Sequence, residues 1–319
     1  MANERCIIEG MSQNAPAETR FADFHAHTTA SDGTLTPTEL VQAAQDAGVS
    51  YLAVTDHDTT AGVAEAIRAA EGTGVAILPG VELSAEGAPG KCHLLGLGID
   101  PEHDEMAGTL ERLSENRRTR NQRMLDRLTQ LGKPLTMDDV LAVAPDGANI
   151  GRPHIAQAMV KKGYVKDMKA AFDRYIGDNK PGYIAKDTLT PCDAIRLIHQ
   201  AGGLCFLAHP GLLRLHKHET EEARFRALKG LDLDGIEVFY SSHTYAQTGR
   251  FQRLVEKMGF LITGGSDFHG ANKPFVRLGY VRYGQRLPAN AVSPVLLERV
   301  LDAPPVIVDE DQMYDSRDE

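Results

Sequence analysis

The sequence is sparing in cysteine and short of positive charge. Cys6, Cys92, Cys192 and Cys205 lie far apart and form no CxxC pair. That spacing argues against a disulfide framework and against a zinc site built from cysteine, and suits thiols in a reducing compartment. Lysine and arginine number 34 against 44 acidic residues, a formal net charge of −10. A broad basic surface for duplex DNA does not fit that balance, so a polyanionic substrate must meet local positive charge, from side chains or metal ions. No stretch approaches the roughly 18 apolar residues of a spanning helix. Residues 1–20 hold no apolar core of a secretion signal. These absences predict a cytoplasmic protein without a membrane partner. Internal repeats and low-complexity segments are missing too.

What is present is an ordinary globular composition. Of 319 residues, 42% are apolar and 24% charged, enough for one large domain with an insertion. Residues 1–20 read as a flexible extension and 309–319 as an acidic tail. Between 21 and 100, apolar segments at 21–27, 51–55 and 75–82 alternate with helices, and a short strand pair includes 93–97. Thr36 caps the first helix, Pro37 starts it and Gly48 stops it. This rhythm predicts a parallel α/β sheet. Residues 101–190 break it. Leu110, Leu113, Met124, Leu125, Leu128 and Leu131 form an approximate helical stripe there, predicting an inserted helical subdomain that caps the substrate. Strand segments return over 191–308, at 204–208, 235–239 and 260–263.

The apolar segments share an ending. His25 and His27, Asp56 and His57, Glu82, His209, His243, and Asp267 with His269 all fall at or just beyond a strand end. Strand ends of a β/α barrel open on one face, where active sites sit. His25 and His27, two apart on a strand, point to one side and can share one ion. Asp267 and His269 repeat that spacing. Any one of these residues could be a hydrogen-bonding group or a turn former. Together they predict an imidazole and carboxylate site without thiolate, suited to Mn²⁺, Zn²⁺ or Fe²⁺. The candidates outnumber the ligands of a single ion, so clustered ions that clamp phosphoryl oxygens are expected.

Against the acidic background stands a basic helix with Arg112, Arg117, Arg118, Arg120, Arg123 and Arg127. Helical phase separates Arg117, Arg120 and Arg127 from Arg118, so only one or two of these can reach a cleft, and a solvated face is the alternative. Arg152 and His154 follow Gly151, and a guanidinium matches phosphate oxygens bidentately. Lys180 and Tyr183 put a cation and an aromatic ring in one loop, where Tyr183 either stacks on a base or packs beneath the loop. Ser242 and His243 lie past a strand end, as phosphate contacts or as a cap.

In chain order, His25-Ala-His27, Ser31-Asp32-Gly33, Thr55-Asp56-His57-Asp58, Gly80-Val81-Glu82-Leu83, His93, Ala208-His209-Pro210 and Gly265-Ser266-Asp267-Phe268-His269 resemble the motifs of the polymerase-and-histidinol-phosphatase (PHP) family. The resemblance implies an amidohydrolase-like, distorted (β/α)7 TIM-like barrel with two or three divalent ions, Mn²⁺ foremost. It implies His25, His27, Glu82 and Asp267 on a first ion, and Glu82, His93 and His209 on a second. Asp32, His57 and His269 would hold a third, with Asp32 standing where some members have histidine, and Asp56 would orient a ligand. Arg152-Pro153-His154, the Arg-rich helix and Ser242-His243 resemble the stand-alone branch of phosphatases acting on 3′,5′-bisphosphonucleotides. Relatives of that branch are 5′→3′ exonucleases on short RNA or DNA. The implied reaction is hydrolysis of a phosphate monoester by a metal-generated hydroxide. Arg152 and Arg117 would hold the phosphate that is not transferred, with Lys180, Tyr183 and Ser242 as further contacts. Asp267 would manage protons, and His243 or His154 would protonate the leaving group. The expected partner is a small nucleotide bisphosphate or a short oligonucleotide. Histidinol phosphate as substrate and C–N hydrolysis are the alternatives.

Overall fold

The computed structural model describes residues 20–144, 149–282 and 284–302. The expected acidic tail, and all of the expected extension except Arg20, lie outside them. The chain opens with β1 (Phe21–Ala26), α1 (Pro37–Asp46), β2 (Val49–Val54), α2 (Val63–Ala70), β3 (Ala76–Ala85) and β4 (Cys92–Leu97). The start of α1 is fixed reciprocally: the Glu39 N–H donates to the Thr36 hydroxyl, and the Thr36 N–H donates to the Glu39 carboxylate. Its apolar face, Leu40, Val41 and Ala44, packs with Leu52 and Val54 of β2.

The second half contains α7 (Pro191–Gln200), β5 (Leu204–Leu207), α8 (Glu221–Lys229), β6 (Gly235–Tyr240), α9 (Tyr245–Met258), β7 (Leu261–Gly265) and α10 (Pro294–Asp302). Between the halves stand α3 (Asp104–Gln130), α4 (Met137–Leu141), α5 (Arg152–Lys161) and α6 (Met168–Ala171), which runs on into a π-helical turn at Phe172–Ile176. Among the described residues, no helix is long and apolar enough to cross a membrane.

The seven strands lie in chain order, β1 to β7. Just past its end, β7 meets β1: the Asp267 N–H donates to the His25 carbonyl at 2.8 Å and the His27 N–H to the Phe268 carbonyl at 2.9 Å. The sheet is a nearly closed barrel, but it is not parallel throughout as the strand rhythm predicts. β4 runs antiparallel to both β3 and β5. The link between β3 and β4 is too short for a crossover helix, so the chain can only turn back as a hairpin. The reversal has a functional consequence. β4 presents its beginning, not its end, on the face where the other strands finish, and His93 pairs with Ser84 there.

Two cores meet along α3. Met106 and Leu110 near its start join the barrel core with Ile198 and Val81, while Met124, Leu125 and Leu128 near its end join a separate cluster with Ile155, Met159 and Ile176. Leu131, the last member of the predicted stripe, falls just past the helix end and is exposed. The insertion thus has its own packed interior, and one rigid helix carries it over the barrel mouth.

Candidate active site

The floor of the mouth gathers side chains from the ends of six strands and the loops beside them. Glu82 of β3 is buried at its centre. Its Oε1 lies 2.8 Å from His93 Nδ1 and 2.9 Å from His209 Nε2, and its Oε2 lies 3.0 Å from His57 Nδ1, 3.2 Å from His27 Nε2 and 3.3 Å from His25 Nε2. Asp267 Oδ1 sits 3.3 Å from His27 Nε2 and 3.6 Å from His25 Nε2. Asp32 Oδ1 is 3.2 Å from His269 Nε2. Three groups bring their ligand atoms within 4.8 Å of one another: His25, His27 and Asp267; His57, Glu82 and His93; and His27, Asp32, His57 and His269. All nine expected ligand residues are therefore in one place. The grouping differs from the expectation: Glu82 is not in the first group, His57 stands with Glu82 and His93 where His209 was expected, and His27 joins Asp32, His57 and His269.

The donor set fits divalent cations. His25 Nε2, both ring nitrogens of His27, His57 Nδ1, Asp32 Oδ1 and Glu82 Oε2 are buried without a hydrogen-bond partner. Buried polar atoms are rarely left so, and imidazole nitrogens and carboxylate oxygens, once deprotonated, are what a hard or borderline ion takes. Burial disfavours a charged ring, yet Asp267 and Glu82 push His27 up to about 9. At His57 burial wins and holds the ring down to about 3.

A second layer orients these groups. Glu237, fully buried on β6, accepts from His25 Nδ1 at 2.9 Å and from the His209 N–H at 2.5 Å. Asp267 Oδ2 accepts from the Tyr240 hydroxyl at 2.8 Å and from Lys273 Nζ at 2.5 Å. Although burial opposes it, Lys273 and His25 hold the Asp267 carboxyl well below the usual range. Asp56 does not orient a ligand directly. Its carboxylate accepts from the Thr28 N–H and hydroxyl and from the Ser31 hydroxyl at 2.6–2.8 Å, folding the loop that carries Asp32. Sequence reasoning missed Glu237, Tyr240 and Lys273. Only Glu237 left a signal, as a lone acid inside an apolar strand.

The insertion supplies the wall. Arg117 and Arg120 share the buried face of α3, whereas Arg112, Arg118, Arg123 and Arg127 are exposed. Arg117 donates to Asp58, and Lys186 Nζ reaches the same carboxylate at 2.5 Å. Arg120 lines the cleft with Arg117, Arg152 and Lys186. Its guanidinium is held to about 10 by burial and by the neighbouring Arg117 and Arg152.

Other expected contacts fall differently. Arg152 is at the cleft, but its Nη1 donates to Asp178 Oδ1 at 2.8 Å, and its guanidinium lies over Tyr183 and Phe172 at 5.3 and 5.7 Å. Tyr183 therefore supports Arg152. Lys180 is exposed on the loop beyond the π turn, and from the insertion it is Lys186 that lines the cleft. Ser242 is exposed. His243 is buried behind Tyr240; Nδ1 donates to the Val238 carbonyl at 3.0 Å and Nε2 accepts the Gly211 N–H at 3.2 Å. With its one proton committed to a carbonyl, it has none to give a leaving group, which corrects that expectation. His154 differs. Its Nδ1 accepts the Gly151 N–H at 3.1 Å, so the neutral ring carries its proton on Nε2, a buried donor with no partner among the described residues. Burial keeps this ring below its ordinary value.

Comparison with known proteins gives one consistent result. The profile described as the PHP domain matches residues 23–227. A 3′,5′-nucleoside bisphosphate phosphatase of Chromobacterium violaceum is 36% identical over 249 residues, covering 77% of this chain and 86% of the relative. A 5′-3′ exoribonuclease of Escherichia coli is 35% identical over 261 residues, covering 81% and 87%. Among solved structures, a protein of Bifidobacterium adolescentis described as a candidate metal-dependent phosphoesterase superposes with a TM-score of 0.77 at 32% identity, over 92% of this chain and 99% of that one.

Proposed function

We propose, on the premise that this chain belongs to the PHP domain family and is a metal-dependent phosphoesterase, that its substrate is a 3′,5′-bisphosphonucleotide from which it removes the 3′-phosphate. Adenosine 3′,5′-bisphosphate would give AMP and phosphate. The observation that carries this reading is the opposition of two surfaces across one cleft. The floor is a cluster of unsatisfied polar atoms, and the wall holds Arg117 and Lys186 on one carboxylate, with Arg120 beside them. A substrate with two phosphates about a ribose apart complements both.

His25, His27, Glu82 and Asp267 would hold one ion, Glu82 and His93 with His209 or His57 a second, and Asp32, His57 and His269 a third; Mn²⁺ is the ion we favour. Bound there, divalent ions supply Lewis-acid charge to phosphoryl oxygens and acidify the attacking water. The chain's own groups do the rest. Glu237 fixes the His25 ring through Nδ1 and leaves Nε2 facing the floor. Tyr240 and Lys273 keep Asp267 ionised beside the reacting centre. Arg117, Arg120 and Lys186 bind the phosphate that stays on the product. His154, whose tautomer is fixed by Gly151, would be the proton donor to the leaving oxygen.

The test is phosphate release from adenosine 3′,5′-bisphosphate by Mn²⁺-loaded protein, beside 5′-phosphorylated short RNA and histidinol phosphate. Rapid release of the 3′-phosphate alone supports the reading. Dominant mononucleotide release from RNA would move the substrate to oligonucleotides with the same floor and wall. Histidinol phosphate has no second phosphate for the wall, so activity confined to it would overturn the assignment.

A further inference from the structure

Asp58 lies one residue beyond His57, yet it takes no part in the acceptor cluster of the floor. Its backbone explains the separation. Its φ is +53°, and its N–H donates to the Glu82 carbonyl at 2.9 Å. Few residues with a Cβ hold this left-handed conformation without surrounding support. The support is its own carboxylate. Oδ1 accepts the Ser84 N–H at 2.8 Å, and Oδ2 accepts the Ser84 hydroxyl at 3.2 Å, Lys186 Nζ at 2.5 Å and an Arg117 Nη2 donor. Lys186 Nζ also donates to Ser84 Oγ at 2.7 Å.

One buried carboxylate, anchored to β3, thus gathers cations from two parts of the insertion: α3 and the loop that carries Lys186. Arg120, three residues after Arg117 on the same face, has no carboxylate partner among the described residues; its Nη1 meets only the Met124 sulfur at 3.1 Å. The cluster of Arg117, Arg120 and Lys186 with Asp58 carries two uncompensated positive charges. A phosphate dianion carries the opposite charge.

We infer that Asp58 is a positioning residue that presets Arg117 and Lys186 beside Arg120 as a clamp for the non-reacting phosphate, and so sets the preference for substrates with two phosphates over one. This inference rests on the substrate reading above. Arginine and lysine side chains lose much rotamer freedom when they close on a ligand, and a site already held loses less. Charge and positioning make opposite demands here. By charge alone, removing Asp58 adds net positive potential to the wall and should tighten anion binding. By positioning, removal frees two long side chains and should weaken it. The sign of the effect decides.

The experiment compares Asp58→Asn with wild type in two arms. In the first, metal-free protein is titrated calorimetrically with adenosine 5′-monophosphate and with adenosine. Wild type should bind the nucleotide more tightly than the nucleoside. The variant should lose at least about tenfold in nucleotide affinity, the scale of charged hydrogen bonds, with little change for adenosine. In the second, Mn²⁺-loaded enzyme is assayed on adenosine 3′,5′-bisphosphate and adenosine 3′-monophosphate. The ratio of their kcat/KM values should fall by a similar factor, carried by KM more than by kcat. Ser84→Ala loosens the same carboxylate more gently and should shift both readouts in the same direction by less, which covers an Asn variant that fails to fold. Unchanged or tighter nucleotide binding overturns the inference. Equal loss on both substrates also overturns it, because Asp58 would then act through His57. If wild type binds the nucleotide through its phosphate but hydrolyses no bisphosphonucleotide, the substrate reading fails, and the calorimetric arm still decides the role of Asp58.

Discussion

Glu82 and Asp58 are both buried carboxylates, and a backbone hydrogen bond joins their residues, yet they live in opposite surroundings. Glu82 lies within 3.3 Å of ring nitrogens from five histidines. Asp58 faces an ammonium, a guanidinium and the two donors of Ser84. A buried carboxylate needs donors or cations to offset its lost hydration. Asp58 has them within the chain. Glu82 lacks part of its complement: His57 Nδ1 lies 3.0 Å from Glu82 Oε2, yet both atoms are buried without a hydrogen-bond partner. Imidazole nitrogens and a carboxylate oxygen converging in this way are the donor set that a divalent cation would satisfy. The carboxylate of the wall finds its donors and cations within the chain, whereas the floor gathers a donor set that divalent cations would satisfy.

The largest effect should come from breaking the floor. Glu82→Gln removes the charge shared by the candidate metal groups. Activity should fall on the order of a thousandfold or more, and metal analysis after gel filtration should show fewer ions per chain. Chelation of the wild type should give the same loss, reversed by Mn²⁺. A Glu82→Gln protein with full metal and full activity would erase the distinction between floor and wall. One layer back, Glu237→Gln leaves every ligand in place but frees the His25 ring. Metal affinity by equilibrium dialysis should weaken by about 10- to 100-fold.

Breaking the wall should look different. Arg120→Met keeps the bulk of α3 and removes the one wall cation without a carboxylate. KM for a 3′,5′-bisphosphonucleotide should rise about tenfold, with metal content unchanged. If metal content falls with it, floor and wall are one unit and the comparison is wrong.

The floor was the more legible of the two regions, for a physical reason. Its ligands sit at strand ends, where period-two geometry and barrel architecture constrain which side chains can meet, so His25, His27, Glu82, Asp267 and His269 stand out in the linear sequence. β4 was harder, because its reversal makes His93 a strand start. The wall is built from a helix face and a loop. Helical phase did separate Arg117 and Arg120 from Arg118. A loop has no periodicity, and nothing in the sequence distinguishes Lys186, which reaches Asp58, from Lys180, which is exposed. Tyr240 reaches Asp267 from the neighbouring strand and Lys273 from an irregular loop six residues on, and neither position carries a periodic signal. His243 misled because its place past a strand end matches the ligand pattern, while its two backbone bonds became visible only in three dimensions.

The smallest predicted effect tests the wall through pH. Burial pulls Lys186 down from 10.5 to about 8, against the pull of Asp58. In the free enzyme it is charged below that value and neutral above it, and kcat/KM reports the free enzyme. The preference for adenosine 3′,5′-bisphosphate over adenosine 3′-monophosphate should therefore decline severalfold as pH rises from about 7 to about 9. Taking the ratio of the two substrates cancels any titration on the floor. Lys186→Arg should flatten the profile, because a guanidinium stays charged throughout. Stability carries the complementary sign. A base with a depressed folded pKa binds fewer protons folded than unfolded between about 8 and 10.5, so folding gains stability as pH rises through that window. Lys186→Met should lose that gain in denaturant titrations at pH about 7 and about 10. A preference that stays level in the wild type would mean that Lys186 keeps its charge, and that the wall holds its anion with the same strength across the range.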